Sequence, residues 1–227
     1  MEITNYEYKT EPYQHQQEVL ETSAYKNLYA LFLEMGLGKS KILLDNLAIL
    51  FKQDEVSGAV IVAPKGVLSN WSENEIARHM PDDIERNVLV WQSNHTQRWT
   101  KAFKDMVEED STGKLNILLV NVEAFATTKG CQHVEEFLNT HNCMFVIDES
   151  TTIKNPKAKR TKNLIKLAPL ADYRRILTGF PITKAPLDLY SQCFFLSPTL
   201  LGFSSYYSFR ARFALTQRKF LGGHSFD

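Results

Sequence analysis

The stretch Glu34-Met35-Gly36-Leu37-Gly38-Lys39-Ser40 lies between two apolar runs, Leu28-Tyr29-Ala30-Leu31-Phe32-Leu33 and Ile42-Leu43-Leu44-Asp45-Asn46-Leu47-Ala48-Ile49-Leu50. The first run reads as a buried strand and the second as a helix, with the glycines at the turn between them. A strand, a glycine-rich turn and Gly-Lys-Ser at a helix start are the parts of a phosphate-binding loop. Glycines let the backbone N–H groups of 36–38 converge on an anion, and the helix N-terminus adds partial positive charge. Lys39 then reaches the terminal phosphates and the Ser40 hydroxyl ligates Mg²⁺. The pattern G-x-x-x-x-G-K-[ST] asks for glycine at position 33, where this chain has leucine. The competing reading, a plain glycine turn before an ordinary lysine, does not explain the strand–turn–helix setting.

Working outward, short apolar segments recur between helical ones. Strands are expected at 58–63, 87–91, 115–120, 144–147 and 174–179. Helices are expected at 13–21, 67–80, 94–110, 132–140, 186–196 and 204–214, with a basic helix running from Pro156 to about Ala168. The end, residues 222–227, reads as loop. This alternation predicts one α/β domain over residues 1–227, a parallel sheet covered by helices on both faces, with ligands at the carboxyl ends of the strands. The segments 34–40, 63–66, 148–155 and 178–181 all fall at such ends and are expected to meet.

Composition fits a globular domain: 44% of residues are hydrophobic and 23% charged. No apolar run reaches the roughly 18 residues that span a bilayer, so no membrane partner is expected. Cys131, Cys143 and Cys193 are too few and too scattered for a disulfide framework or a zinc site. The expected setting is reducing: cytoplasmic, nucleoid-associated or nuclear, not secreted. Net charge is zero, yet Lys154, Lys157, Lys159, Arg160, Lys162, Lys166, Arg174 and Arg175 have only Asp172 as a local acid. A solvated face and a polyanion contact both account for that run.

Asp148-Glu149 follows four apolar strand residues. In a P-loop protein an acid there is placed to hold the Mg²⁺ that Ser40 also touches, and Glu149 to deprotonate an attacking water. Trp71, Trp91 and Trp99 sit in apolar patterns and read as core.

With these segments in order, the chain resembles the first motor domain of the Swi/Snf-type branch of superfamily-two helicases over nearly its whole length. Residues 34–40 resemble motif I, and this branch also tolerates a non-glycine at the Leu33 position. Residues 63–71 resemble motif Ia, Asn121-Val122-Glu123-Ala124-Phe125 motif Ib, 148–155 motif II with its Ile-Lys-Asn extension, and 177–182 with 187–190 motif III. Pro12-Tyr13-Gln14-His15-Gln16 resembles the adenine-reading Q motif, Gln16 matching better than Gln14. Two departures stand out: Ser150-Thr151 replaces the usual small residue and His or Asp of motif II, and Phe180 replaces a threonine of motif III. The first is expected to weaken coupling from that side chain to the rest of the motor, and the second to weaken the motif III polar network.

The resemblance implies a RecA-like fold and an ATPase using ATP and Mg²⁺. Its partner would be nucleic acid, most often duplex DNA, along which the motor translocates. Lys65 and residues 121–125 would lie near the DNA backbone, with Lys154, Lys157 and Arg160 as further candidates. A second RecA-like domain would complete the ATP site. Nothing after motif III resembles that domain, so the chain reads as a fragment that binds ATP better than it hydrolyses it. Two rival readings are a P-loop phosphotransferase, for which no lid or second pocket is legible, and a nucleotide-gated interaction module with little or no turnover.

Overall fold

A computed structural model describes residues 6–108, 113–215, 219–221 and 224–226. In chain order the elements are α1 (Gln14–Ser23), β1 (Leu28–Phe32), α2 (Lys39–Lys52), β2 (Gly58–Ala63), α3 (Leu68–Asn70), α4 (Ile76–His79) and β3 (Arg86–Val90). Then follow α5 (Gln97–Glu108), β4 (Leu115–Asn121), α6 (Thr128–Thr140), β5 (Cys143–Asp148), α7 (Lys159–Leu167), β6 (Tyr173–Thr178), α8 (Leu189–Leu196), α9 (Tyr206–Phe213), β7 (Lys219–Leu221) and β8 (His224–Phe226). The first six strands form one sheet in the order β1-β6-β5-β2-β4-β3, and every pairing in it is parallel.

The period of two along each strand builds the core. Ala59, Ile61, Ala63, Ile117, Leu119, Met144, Val146 and Leu177 point to one face, where they pack with Leu20 of α1, the apolar side of α2, and Leu68, Trp71 and Ile76. Their neighbours Val60, Val62, Leu118, Val120, Phe145, Ile147 and Ile176 point to the other, against Phe103, Phe137, Leu164 and Phe195 from α5, α6, α7 and α8. Both faces of β2, β4 and β5 are covered, which is why those strands are apolar almost throughout.

Four local readings change. The 28–33 run forms an edge strand: among the described residues β1 pairs only with β6, and Phe32 is 39% exposed. The basic helix begins at Lys159, not Pro156, because Asn155 Oδ1 accepts the Lys157 N–H at 2.9 Å and closes a turn there. Helix α6 begins four residues early, at Thr128, where the Thr127 hydroxyl accepts the Gly130 N–H at 3.0 Å. A side chain at Gly130 would meet the Ala124 carbonyl oxygen at 2.3 Å, so only glycine lets the helix start there. Part of the tail read as loop is strand, β8 pairing antiparallel with β7.

Arg175 also leaves the basic surface run. It is fully buried, and its guanidinium donates to Asn46 Oδ1 and to the carbonyls of Asn27, Arg174 and Ser23. Burial pushes its pKa down to about 10.

Candidate nucleotide site

The loop after β1 folds as the glycine pattern demands. Gly36 and Gly38 have φ of +83° and +75°, a region other residues enter only with strain. Leu33 is not among the positive-φ residues, so the position lacking the expected glycine needs none. Gly38 carries a second constraint, because a Cβ there would lie 2.2 Å from Gln16 Nε2. That amide donates to the Leu37 carbonyl at 3.2 Å, while Gln16 Oε1 accepts the Tyr13 N–H at 3.0 Å. Gln14 instead faces out and bonds Glu18. Gly38 precedes α2 with no side-chain cap, which leaves the first-turn N–H groups of the helix to an anion.

Lys39 folds back over the loop, its ammonium donating to the carbonyls of Leu33 at 2.9 Å and Glu34 at 3.1 Å. Across the cleft, at the end of β5, Asp148 accepts two hydrogen bonds, from the Trp71 indole at 2.9 Å on Oδ2 and from the Glu149 N–H at 3.0 Å on Oδ1. Burial pushes the Asp148 carboxyl above the usual carboxylate range, with the Trp71 bond opposing. Glu149 sits in the left-handed region at φ +50°, a conformation that costs of order 1 kcal/mol or more and is held by its surroundings. Its Oε2 accepts from the Thr178 hydroxyl at 3.4 Å.

Gln16, Gly36, Gly38, Lys39, Ser40, Asp148 and Glu149 therefore line one cleft of about 580 Å³. Ser40 and Asp148 offer the hard oxygen donors that suit Mg²⁺. The positive-φ glycines, the uncapped helix and the lysine suit a polyphosphate.

The fold is shared with known proteins. The SNF2-related domain family matches residues 15–220. The chain belongs to that family. Among its relatives, the ATP-dependent helicase fft2 of Schizosaccharomyces pombe is 28% identical over 167 residues, covering 74% of this chain and 12% of that protein. The probable ATP-dependent DNA helicase CHR12 of Arabidopsis thaliana is 30% identical over 166 residues, 73% of this chain and 14% of the other. The chain thus spans about one eighth of the length of these relatives. The Sulfolobus solfataricus SWI2/SNF2 ATPase core in complex with dsDNA superposes with a TM-score of 0.70 at 26% identity, covering 92% of this chain and 40% of that one. The chain is a helicase-like motor domain with the RecA-like fold of the SWI2/SNF2 ATPase core.

Within the SNF2 frame, motifs II and III are joined through groups the motif pattern does not predict. The Ser150 hydroxyl donates to Gln192 Oε1 at 2.6 Å, and Gln192 Nε2 donates to the carbonyls of Pro181 at 2.8 Å and Asp188 at 2.7 Å. Ser150 and Gln192 are fully buried. Lys154 adds a second link, to Thr183 Oγ1 and to Asp188, 3.9 Å away. A buried glutamine thus bridges the two motifs, while Phe180, 60% exposed, takes no part through its side chain.

The expectation that all four strand-end segments share one meeting point is also corrected. Segment 178–181 does abut the loop, an added Gly179 Cβ falling 3.4 Å from Met35 N. Strand β2, however, is separated from β1 by β6 and β5. Its end carries Lys65 into a different cleft of about 410 Å³, shared with Asn121 and residues 90–94. There the Asn121 side-chain oxygen accepts the Ala124 N–H at 3.1 Å and caps the turn Val122–Ala126. Lys157 lies in the turn before α7, and Arg160 in its first turn. Lys157, Lys159, Lys162 and Lys166 are exposed and make no ion pair among the described residues.

Sequence reasoning missed several cleft residues. Lys41 pairs with buried Asp45 at 2.8 Å and donates to the Thr10 carbonyl, tying the N-terminal segment to α2. Glu75, Arg78 and His79 also line the cleft, and their spacing of three and four residues was the available signal.

Proposed function

We propose that this chain is the ATP-binding half of a DNA-dependent ATPase, in which ATP hydrolysis drives movement along duplex DNA once a second RecA-like domain closes on the cleft. The observation that carries the reading is the convergence of Lys39, Asp148 and Glu149 on one cleft that Gln16 also lines. Gln16 reads the adenine edge. The N–H groups of the Gly36-Leu37-Gly38 loop and the Lys39 ammonium hold the phosphates, Lys39 exchanging its bonds to the Leu33 and Glu34 carbonyls for phosphate oxygens. Ser40 and Asp148 hold Mg²⁺, which when bound neutralises charge on the phosphates. Glu149 takes the proton of the attacking water. Arginines from the second domain would complete the site.

On the DNA side, Lys65 and Asn121 share a cleft at the same sheet edge, Lys154 lies in the extension of motif II, and Lys157 and Arg160 follow it. A relative by fold is an ATPase core solved on dsDNA, which supports duplex DNA as the partner. Contacts through lysines to phosphate would be independent of sequence.

The test is calorimetric titration of the chain with ATP and Mg²⁺. Lys39→Ala removes a charged donor worth about 1.5–3 kcal/mol, so affinity should fall about tenfold or more. Unchanged affinity refutes the assignment of the loop.

A further inference from the structure

Trp71 heads the fully buried side chains, 1% exposed and packed in the layer that holds α2. Such a residue reads as core. Its one polar atom, however, reaches 77 residues along the chain to donate to Asp148 Oδ2. The local backbone serves this reach. Between α3 and α4 the chain makes a π-turn, Trp71–Glu75, closed by the Ile76 N–H on the Trp71 carbonyl. Across this wide turn Trp71 and Ile76 are both buried while Glu75 and Arg78 line the nucleotide cleft.

A buried indole N–H needs an acceptor, and a backbone carbonyl suffices. Trp99, 5% exposed on the opposite face, uses the Val90 carbonyl at 2.8 Å. Trp71 uses the carboxylate that ends β5. With the Glu149 N–H on Oδ1, each Asp148 oxygen has one fixed donor, which sets the rotation of the carboxylate and leaves its other lone pairs to a ligand.

We propose that Trp71 is a positioning residue for the metal-binding carboxylate, its indole N–H fixing Asp148 in the orientation that accepts Mg²⁺ with the nucleotide. This rests on the reading of Asp148 as the Mg²⁺ ligand. Outer partners of metal ligands typically contribute tenfold or more to metal affinity.

The experiment compares wild type, Trp71→Phe and Trp99→Phe, each titrated with ADP in excess Mg²⁺ and again in EDTA. Trp71→Phe should lose about tenfold in affinity with Mg²⁺ and keep the EDTA affinity, and Trp99→Phe should change neither. Equal losses in both buffers would reduce Trp71 to packing, and no loss in either would also overturn the proposal. If wild-type protein binds no ADP in either buffer, the reading of the cleft itself fails and takes this inference with it. Should Trp71→Phe not fold, indole ¹⁵N–¹H spectra of the wild type with ADP and Mn²⁺ decide the matter. The chain has three tryptophans, and assignment by Trp91→Phe and Trp99→Phe leaves the third signal to Trp71. That signal should be bleached by Mn²⁺ while the Trp99 signal persists; a surviving Trp71 signal refutes the proposal.

Discussion

Replacing Ser150 by alanine tests the buried link between motifs II and III. The hydroxyl makes one bond, 2.6 Å to Gln192 Oε1, and both residues are 0% exposed. Removing it strands one buried acceptor that no water reaches, a cost of about 1–3 kcal/mol. Gln192→Leu should cost more. It strands the Ser150 hydroxyl and also the Pro181 and Asp188 carbonyls that Gln192 Nε2 serves, three groups instead of one. The double variant removes donor and acceptor of the central bond together, leaving only those two carbonyls. Its cost should therefore fall below the sum of the single costs by about 1 kcal/mol or more. Urea denaturation followed by tryptophan fluorescence reads these values as midpoint shifts at constant slope. A Ser150→Ala cost under about 0.5 kcal/mol, together with strict additivity in the double variant, would show that the two motifs are not joined this way.

Glu149→Gln keeps size and hydrogen-bonding capacity but takes no proton, so in a protein carrying both motor domains it should bind ATP and barely turn it over. Near-normal turnover would remove Glu149 from the chemistry. Lys157→Ala with Arg160→Ala should weaken binding to unrelated duplexes about equally and leave ATP affinity without DNA unchanged. The slope of log affinity against log salt should drop by nearly one unit for each phosphate the variant no longer neutralises. If both DNA affinity and slope survive, the run after motif II is a solvated face only.

Most of the fold was legible because burial on both faces leaves a simple mark. Gly58–Ala63 and Cys143–Asp148 are almost wholly apolar and too short for helices. The edge position of β1 was not legible, since Leu28–Phe32 is as apolar as a central strand and only its single pairing sets it apart. The start of α7 was misread for a local reason. Proline suits a first helical turn, but Asn155 takes the Lys157 N–H first and postpones the helix to Lys159.

The site divides along the same line. Phosphate binding uses consecutive backbone groups, so its requirements are written in consecutive residues, and the loop at 34–40 could be read directly. The carboxylates and the turn that follows them are held by single side chains brought in from afar: Trp71 to Asp148, Thr178 to Glu149 and Gln192 to Ser150. Each such partner spends the rest of its surface in the core, so its local pattern is that of packing. Trp71 reads as core and is core. Gln192 breaks pattern, a long polar residue beside buried Ser191 on a helix whose neighbours Tyr190, Cys193, Phe195 and Leu196 are buried. A glutamine in that setting must find partners for an oxygen and two N–H groups, and the carbonyls and hydroxyl it finds are those of motifs II and III. Where a buried helix carries one amide among apolar residues, the amide therefore marks the place where a long-range link has to be made, and here that link joins the turn after β5 to the segment after β6.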